Sequence, residues 1–468
     1  MKKSLYVMIM LATLFTKISL SAVTLEESIK LSLKNNKDLL KAKEEVEIYK
    51  QSYKDVKGNL FPQLSLSGGY QYKYNKLPKS LVPEIPPLSA MLTPLATSDD
   101  QIIAGYIDNA FTNLVPERES KTYNLAGNLN FKQVVFMGGK LIHGINIAKK
   151  LYHLQEKKYY LTRQEIIYKT IDLYYKTKLA KKVADIQKDA YDLANKHFKQ
   201  VQKMYDEGLV SEYDLLRAKL EVRKLEPLLL EANKNRDLSK ESLAKFIGID
   251  DMKFTLDTDF EMPKIDSIGL NEALQKGLKQ RMELKLADLA VEVNKVQLKY
   301  QKGNFLPNIG ISGEYGYYGS TENSFKKDNF GTSYQIGVGF SMPLFTGFSN
   351  TAKKTKAKHS LKESILTYKN LQDMIKLDIK NSYKQLQKDI KAVKVQKENV
   401  KLSQKAYQIA QTRYQNQLSD QLEIFDAQLQ LKSAKLNYLN SIYHVIIDYN
   451  KFKKSIGENL YKEVKDEK

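Results

Sequence analysis

The 468-residue chain carries 75 Lys and Arg against 54 Asp and Glu, a formal net charge of +21, and has no cysteine. The lysines are dispersed rather than massed in one block, so the excess describes solvated helix faces and argues against nucleic acid as the target. Without cysteine there is no disulfide framework and no thioether-linked lipid, so stability has to come from packing or assembly.

The chain opens with Lys2 and Lys3, an apolar run from Leu5 to Phe15, and small residues at Ser19, Ser21 and Ala22. This is the pattern of a secretory signal peptide over residues 1–22, too short to be a permanent membrane helix. An exported chain is a second argument against nucleic acid. No other stretch stays apolar for about 18 residues, so any membrane-spanning part has to be strands.

Two copies of one unit follow, a first repeat over 23–248 and a second over 268–456, joined by an aperiodic connector at 249–267 and ending in a charged tail, 457–468. Thr24 and Glu27 have capping-box spacing at the start of helical periodicity that runs to about Asn59, with a break near Asn35 and Asn36. Next comes GNLFPQLSLSGGYQY at 58–72, matched at an offset of 245 by GNFLPNIGISGEYGY at 303–317, with seven of fifteen positions identical. In each copy a proline stops the helix, and aliphatic residues then alternate with small polar ones before giving way to tyrosines. Strands are expected at about 63–73 and 308–318, each with one greasy and one wet face.

Residues 74–121 hold six of the eleven prolines and read as a long loop; the matching loop in the second copy, about 319–332, is short. Returning strands are expected at about 122–134 and 333–343, running into FKQVVFMGG and FSMPLFTGF. Gly138 and Gly139 mark a sharp strand-to-helix corner, which Gly347 repeats. Long helices at about 140–204 and 350–415 come next, each followed by a turn and a second helix. Pro227 is expected to kink the first of these second helices. In the other, Leu422, Phe425, Leu429, Leu436, Leu439 and Ile446 fall on one heptad seam, with Lys432 and Tyr443 in its remaining positions. Four strands cannot close a barrel, so strands of this kind in a membrane have to close with those of other copies.

The duplicated hairpins, the FSMPLFTGF corner and the GLVSEYDLL turn resemble the TolC family of outer-membrane efflux proteins over nearly the whole mature chain. The resemblance implies a mainly α fold with a transmembrane β-barrel part. In it a homotrimer forms a twelve-stranded outer-membrane barrel continued by a long periplasmic α-helical barrel. It also implies an exit duct of a tripartite efflux or type I secretion system, whose partners are a periplasmic adaptor, an inner-membrane pump and outer-membrane lipid. The competing reading, an exported coiled-coil adhesin or envelope scaffold, explains the helices but not the paired strands.

The resemblance assigns adaptor docking to the tips, at Gly208, Leu209, Val210 and Leu418, where the plain alternative is ordinary turn residues. Gln417 stands where glycine is usual. Asp420, Glu423 and Asp426, spaced by threes, share a helix face, and Glu423 and Asp426 match the family's acidic entrance ring. The alternative is solvated charges paired with lysines. Tyr414 and Asp214 match two members of the family's entrance links; Ser419 occupies the arginine position, and Arg413 or Arg217 is a possible substitute. Leu64, Leu66, Leu125, Leu129, Ile309, Ile311, Ile336 and Val338 form the expected membrane band, with Tyr70, Tyr72, Tyr315 and Tyr317 as its girdle. The alternative there is the core face of a soluble sheet. The five histidines show no metal spacing, and MGGKLIHG lacks phosphate-loop spacing, so no enzyme or cofactor is expected.

Overall fold

The computed structural model describes residues 23–76, 87, 90, 98–112, 119–249, 254–256, 260–266, 268–323, 325–416 and 418–461. The expected signal peptide and most of the charged tail lie outside the described residues. In chain order the elements are α1 (Leu25–Asn35), α2 (Lys37–Gly58), β1 (Gln63–Lys76), α3 (Ser98–Thr112), β2 (Glu119–Met137), α4 (Lys140–Asp206) and α5 (Glu212–Ile247). The second half has α6 (Leu270–Gln280), α7 (Met282–Lys302), β3 (Asn308–Thr321), β4 (Phe330–Ser341), α8 (Ser349–Gln415) and α9 (Gln421–Ser455). The Thr24–Glu27 capping box forms, and Asn36 separates α1 from α2. α4 and α8 are each 67 residues long, about 100 Å of helix. No described helix is long and apolar enough to cross a membrane.

The chain divides into two compact units, and each draws on both copies. One, comprising residues 53–147 and 296–357, holds the sheet. All four strands are antiparallel neighbours in the order β1-β2-β3-β4, so β2 and β3 join the two hairpins. A register shift between Val134 and Phe136 lies on the side where both strands approach their helices. β1 pairs with β2 as far as Lys76 opposite Glu119, three residues beyond the expected end of each strand.

The other unit, residues 23–52, 148–295 and 358–461 among those described, is helical. Its largest core joins Ile375, Ile379 and Leu386 of α8 to Ile442, Val445, Ile446 and Phe452 of α9. A fully buried aliphatic side chain of this kind contributes about 1.5–3 kcal/mol. Gly277 is there because Ile379 lies against it: a Cβ would sit 2.3 Å from the Ile379 Cδ1. The connector adds Phe254, Leu256 and Phe260 to the cores, and Leu256 forms a single parallel bridge to Val23.

Two expectations are corrected. The 74–121 segment is not loop throughout, because α3 occupies the proline-free stretch between Pro94 and Pro116. On α9 the expected seam residues Phe425 and Ile446 are buried, but Leu422 and Leu429 are exposed, and the buried face also takes in Ile424, Leu431, Ala434, Ser441, Val445 and Phe452. Small residues at Ala434 and Ser441 allow close helix approach, a preference that counting large apolar residues passes over. Pro227 lies inside α5, which runs from Glu212 to Ile247.

Candidate functional site: the helical tips and the outward sheet face

The two tips are built alike. At the end of α4, Gly208 takes the left-handed conformation (φ 74°), and the Leu209 N–H donates to the Met204 carbonyl at 2.8 Å. At the end of α8 the Leu418 N–H donates to the Arg413 carbonyl, also at 2.8 Å, so the second tip makes the same bond; Gln417 lies outside the described residues. Ser211 then caps α5 in a capping box with Asp214, and Asp420 caps α9 by accepting from the Glu423 N–H at 3.1 Å. Two acids assigned to entrance chemistry, Asp214 and Asp420, therefore hold helix ends. Leu209 and Leu418 project from the tips at 66% and 67% exposure, whereas Val210 packs inward.

Glu423 accepts from the Arg413 guanidinium at 3.1 Å, and the same guanidinium donates to the Leu418 carbonyl at 3.2 Å. Arg413 thus braces the second tip, while Arg217 stands over the Tyr213 ring instead. Asp426, on the same α9 face, is exposed.

Behind the tips, Val201, Ala218, Ala410, Ile424 and Phe425 form a small core that packs α4 and α5 against α8 and α9. The scattered-histidine reading missed its centre. The His197 ring lies edge-on to Tyr414 and Phe425, at 5.3 and 5.4 Å between centroids, and its Nε2 is buried without a partner. Burial holds its pKa below the usual histidine value. Burial also pushes the Tyr414 phenol up, with the Asp214 charge adding to the effect, so the expected Tyr414 and Asp214 are within electrostatic reach. The Ser419 hydroxyl is likewise buried and unpaired, and the buried Gln421 amide lies beside the Tyr414 phenol, partly offsetting the upward shift. Spacing alone could not have found His197, which meets Tyr414 only through the packing of α4 on α8.

In the sheet, cross-strand partners share a face, so the register can be read as a map. Leu64 and Leu66 lie opposite Phe131 and Leu129, and Tyr70 and Tyr72 opposite Leu125 and Tyr123. Leu129 lies opposite Tyr315, and Gly127 opposite Tyr317. On the last strand Ile311 and Gly313 face Val338 and Ile336, and Ile309 faces Phe340. Every residue of the expected band and girdle is on this one face. Leu66 and Ile336 are 82% and 81% exposed, so no described residue covers the face there. The opposite face presents small and polar side chains, such as Ser67 beside Asn130 and Ser320 donating to Asn124.

The sequence profile of the family described as "Outer membrane efflux protein" matches residues 28–249 and 273–458. The chain belongs to the outer membrane efflux protein family. It is 19% identical over 346 residues to outer membrane protein TolC of Vibrio cholerae, covering 73% of this chain and 78% of that one. It is 22% identical over 218 residues to the alkaline protease secretion protein AprF of Pseudomonas aeruginosa, covering 45% of this chain and 44% of that one. Its fold matches the Campylobacter jejuni CmeC outer membrane channel with a TM-score of 0.74 at 17% identity, covering 97% of this chain and 92% of that one. This efflux protein is therefore a mainly helical outer-membrane channel with a β-barrel part, as the family resemblance implies.

Proposed function

We propose that three copies of this chain close one duct and that the duct is the outer-membrane exit of a tripartite system, docked to a periplasmic adaptor and an inner-membrane pump. The observation that carries the reading is the open, four-stranded sheet with the aliphatic band and the tyrosines Tyr70, Tyr72, Tyr315 and Tyr317 on one exposed face. β1 and β4 are edges, and an unpaired edge in hydrocarbon costs several kcal/mol for each backbone group left unbonded. Three copies of four strands make twelve, a number that closes with the greasy face outward and the Ser, Asn and Gly face lining water. The helical unit is then the periplasmic part, with Leu209, Val210 and Leu418 at the adaptor-facing tips. The pump supplies the energy, and the duct supplies docking and gating.

Glu423 and Asp426, repeated by threefold symmetry, form the acidic entrance ring, and Arg413 trims its charge by pairing with Glu423. Two measurements test these assignments. The detergent-extracted protein is expected to run as a trimer by light scattering; release as a soluble monomer favours the envelope scaffold. In planar bilayers, Glu423→Ala combined with Asp426→Ala is expected to weaken divalent-cation block of single-channel current about tenfold or more, as two lost charges per protomer imply. Unchanged block removes the ring.

A further inference from the structure

The helix α3 has no role in a duct built from two equal repeats, because the second copy has nothing in its place. Its sequence, SDDQIIAGYIDNAFT, puts Ile102, Ile103, Tyr106, Ile107 and Ala110 on one face. All five are exposed: Ile102 and Ile103 at 58% each, Tyr106 at 75%, with Ile107 and Ala110 also open. Only Ala104 among the described side chains of the helix is buried. Fifteen residues of helix are marginal in water, and an apolar face this broad needs a partner.

We propose that α3 lies in the outer lipid–water interface beside its own hairpin, with Ile102, Ile103, Tyr106 and Ile107 facing the hydrocarbon. The inference rests on the outward sheet face meeting lipid. Three observations select lipid over a second copy of the chain. First, α3 leaves the tyrosine end of the hairpin: β1 passes from Leu64 and Leu66 to Tyr70, Tyr72 and Tyr74, and six residues, 113–118, join α3 to β2. A tyrosine belt marks the headgroup level of a membrane protein, so the helix is tethered within about 25 Å of that level. Second, the apolar residues spread over close to half the helix circumference, which suits a flat boundary better than the narrow seam of a helix bundle. Third, Asp99 sits one turn before Ile102 and Ile103 and two turns before Tyr106, on the same stripe. A threefold bundle packed through this stripe would bring three carboxylates together, whereas at an interface Asp99 reaches the headgroups.

α3 contains no Lys or Arg, so attraction to anionic lipid contributes nothing, and apolar burial alone holds it. The chain has no tryptophan, which makes the test clean. Tyr106→Trp in the full-length protein, reconstituted in phosphatidylcholine vesicles, gives a single reporter. Its emission is expected to be blue-shifted, quenched at least twofold by lipids brominated on the chain, and little affected by aqueous iodide. Adding phosphatidylglycerol or salt should leave this unchanged. Gln101→Trp, on the opposite face, should show the reverse pattern, and Leu129→Trp on the sheet serves as the reference. Bromine quenching of Leu129→Trp but not of Tyr106→Trp overturns the inference and leaves the sheet assignment standing. Quenching of neither overturns both. Blue-shifted Tyr106→Trp emission in detergent and lipid alike, immune to both quenchers, overturns it in favour of a bundle of three α3 helices.

Discussion

The two strand-to-helix corners have the same backbone and different surroundings. Gly138 and Gly139 turn β2 into α4 with φ of 58° and 74°; Gly347 and Phe348 turn β4 into α8 with φ of 57° and 64°. A side chain at Gly138 would place its Cβ 2.3 Å from the Gly303 carbonyl oxygen and 2.8 Å from the Leu306 Cβ. At Gly347 nothing lies within 4 Å. The first corner is wedged against the end of α7, and the second, with Leu344 and Phe345 exposed beside it, is open. Duplication has kept the dihedral requirement and let the packing requirement diverge. Glycine at 138 answers to both, and glycine at 347 only to the first.

The sharpest way to break this comparison is to put alanine at both corners. Gly138→Ala is expected to cost about 3 kcal/mol or more, since backbone strain and a clash with a main-chain oxygen add. Gly347→Ala carries the strain alone, about 1–2 kcal/mol. Thermal unfolding followed by circular dichroism separates the two, and equal losses would mean that the α7 contact yields. Phe348→Gly runs the other way. It removes the one left-handed non-glycine among the described residues and is expected to stabilise by about 0.5–1 kcal/mol. A loss instead would show that Phe348, which in the protomer meets Phe345 edge-on, makes contacts in the assembly.

What the sequence made legible follows the same division. Local rules read well where they are applied: the Thr24–Glu27 capping box forms because it depends on residues three apart, and the same spacing makes Asp214 and Asp420, which the resemblance assigns to the entrance, serve in the caps of α5 and α9. The alternation of β1 to β4 places the greasy residues on one face, since a period of two survives any register. The failures lie where neighbours distant in sequence decide. Proline density hid α3, although the run from 95 to 115 is free of it. Large residues mark the α9 seam only in part, because the buried Ala434 and Ser441 belong to it as well. His197 was set aside for lack of metal spacing, and its environment is made by Tyr414 and Phe425, more than 200 residues away.

The tip and the base of the helical unit also differ in how they respond to acid, and that gives the smallest predicted effect. At the base, Asp448 on α9 has its pKa raised from 3.8 to about 6 by burial, then by its hydrogen bond to and the charge of Asp389. The folded state there holds more protons than the unfolded, so its contribution is present below pH 3.8 and is lost as pH rises through about 6. At the tip the sign reverses. His197 is held below its ordinary value of 6.5, so between the folded value and 6.5 the unfolded chain binds more protons, and stability falls as pH falls through that window. Lowering the pH from 7.5 to 5 is therefore expected to loosen the tip while tightening the base, and a whole-molecule melt blends the two. Hydrogen exchange resolves them. Amides of α4 near His197 should exchange faster at pH 5, after correction for intrinsic rates, and those of α9 near Asp448 should not. In His197→Phe the ring fills the aromatic site without an orphaned nitrogen, so the acid-induced loosening should disappear; if it persists, His197 is a bystander.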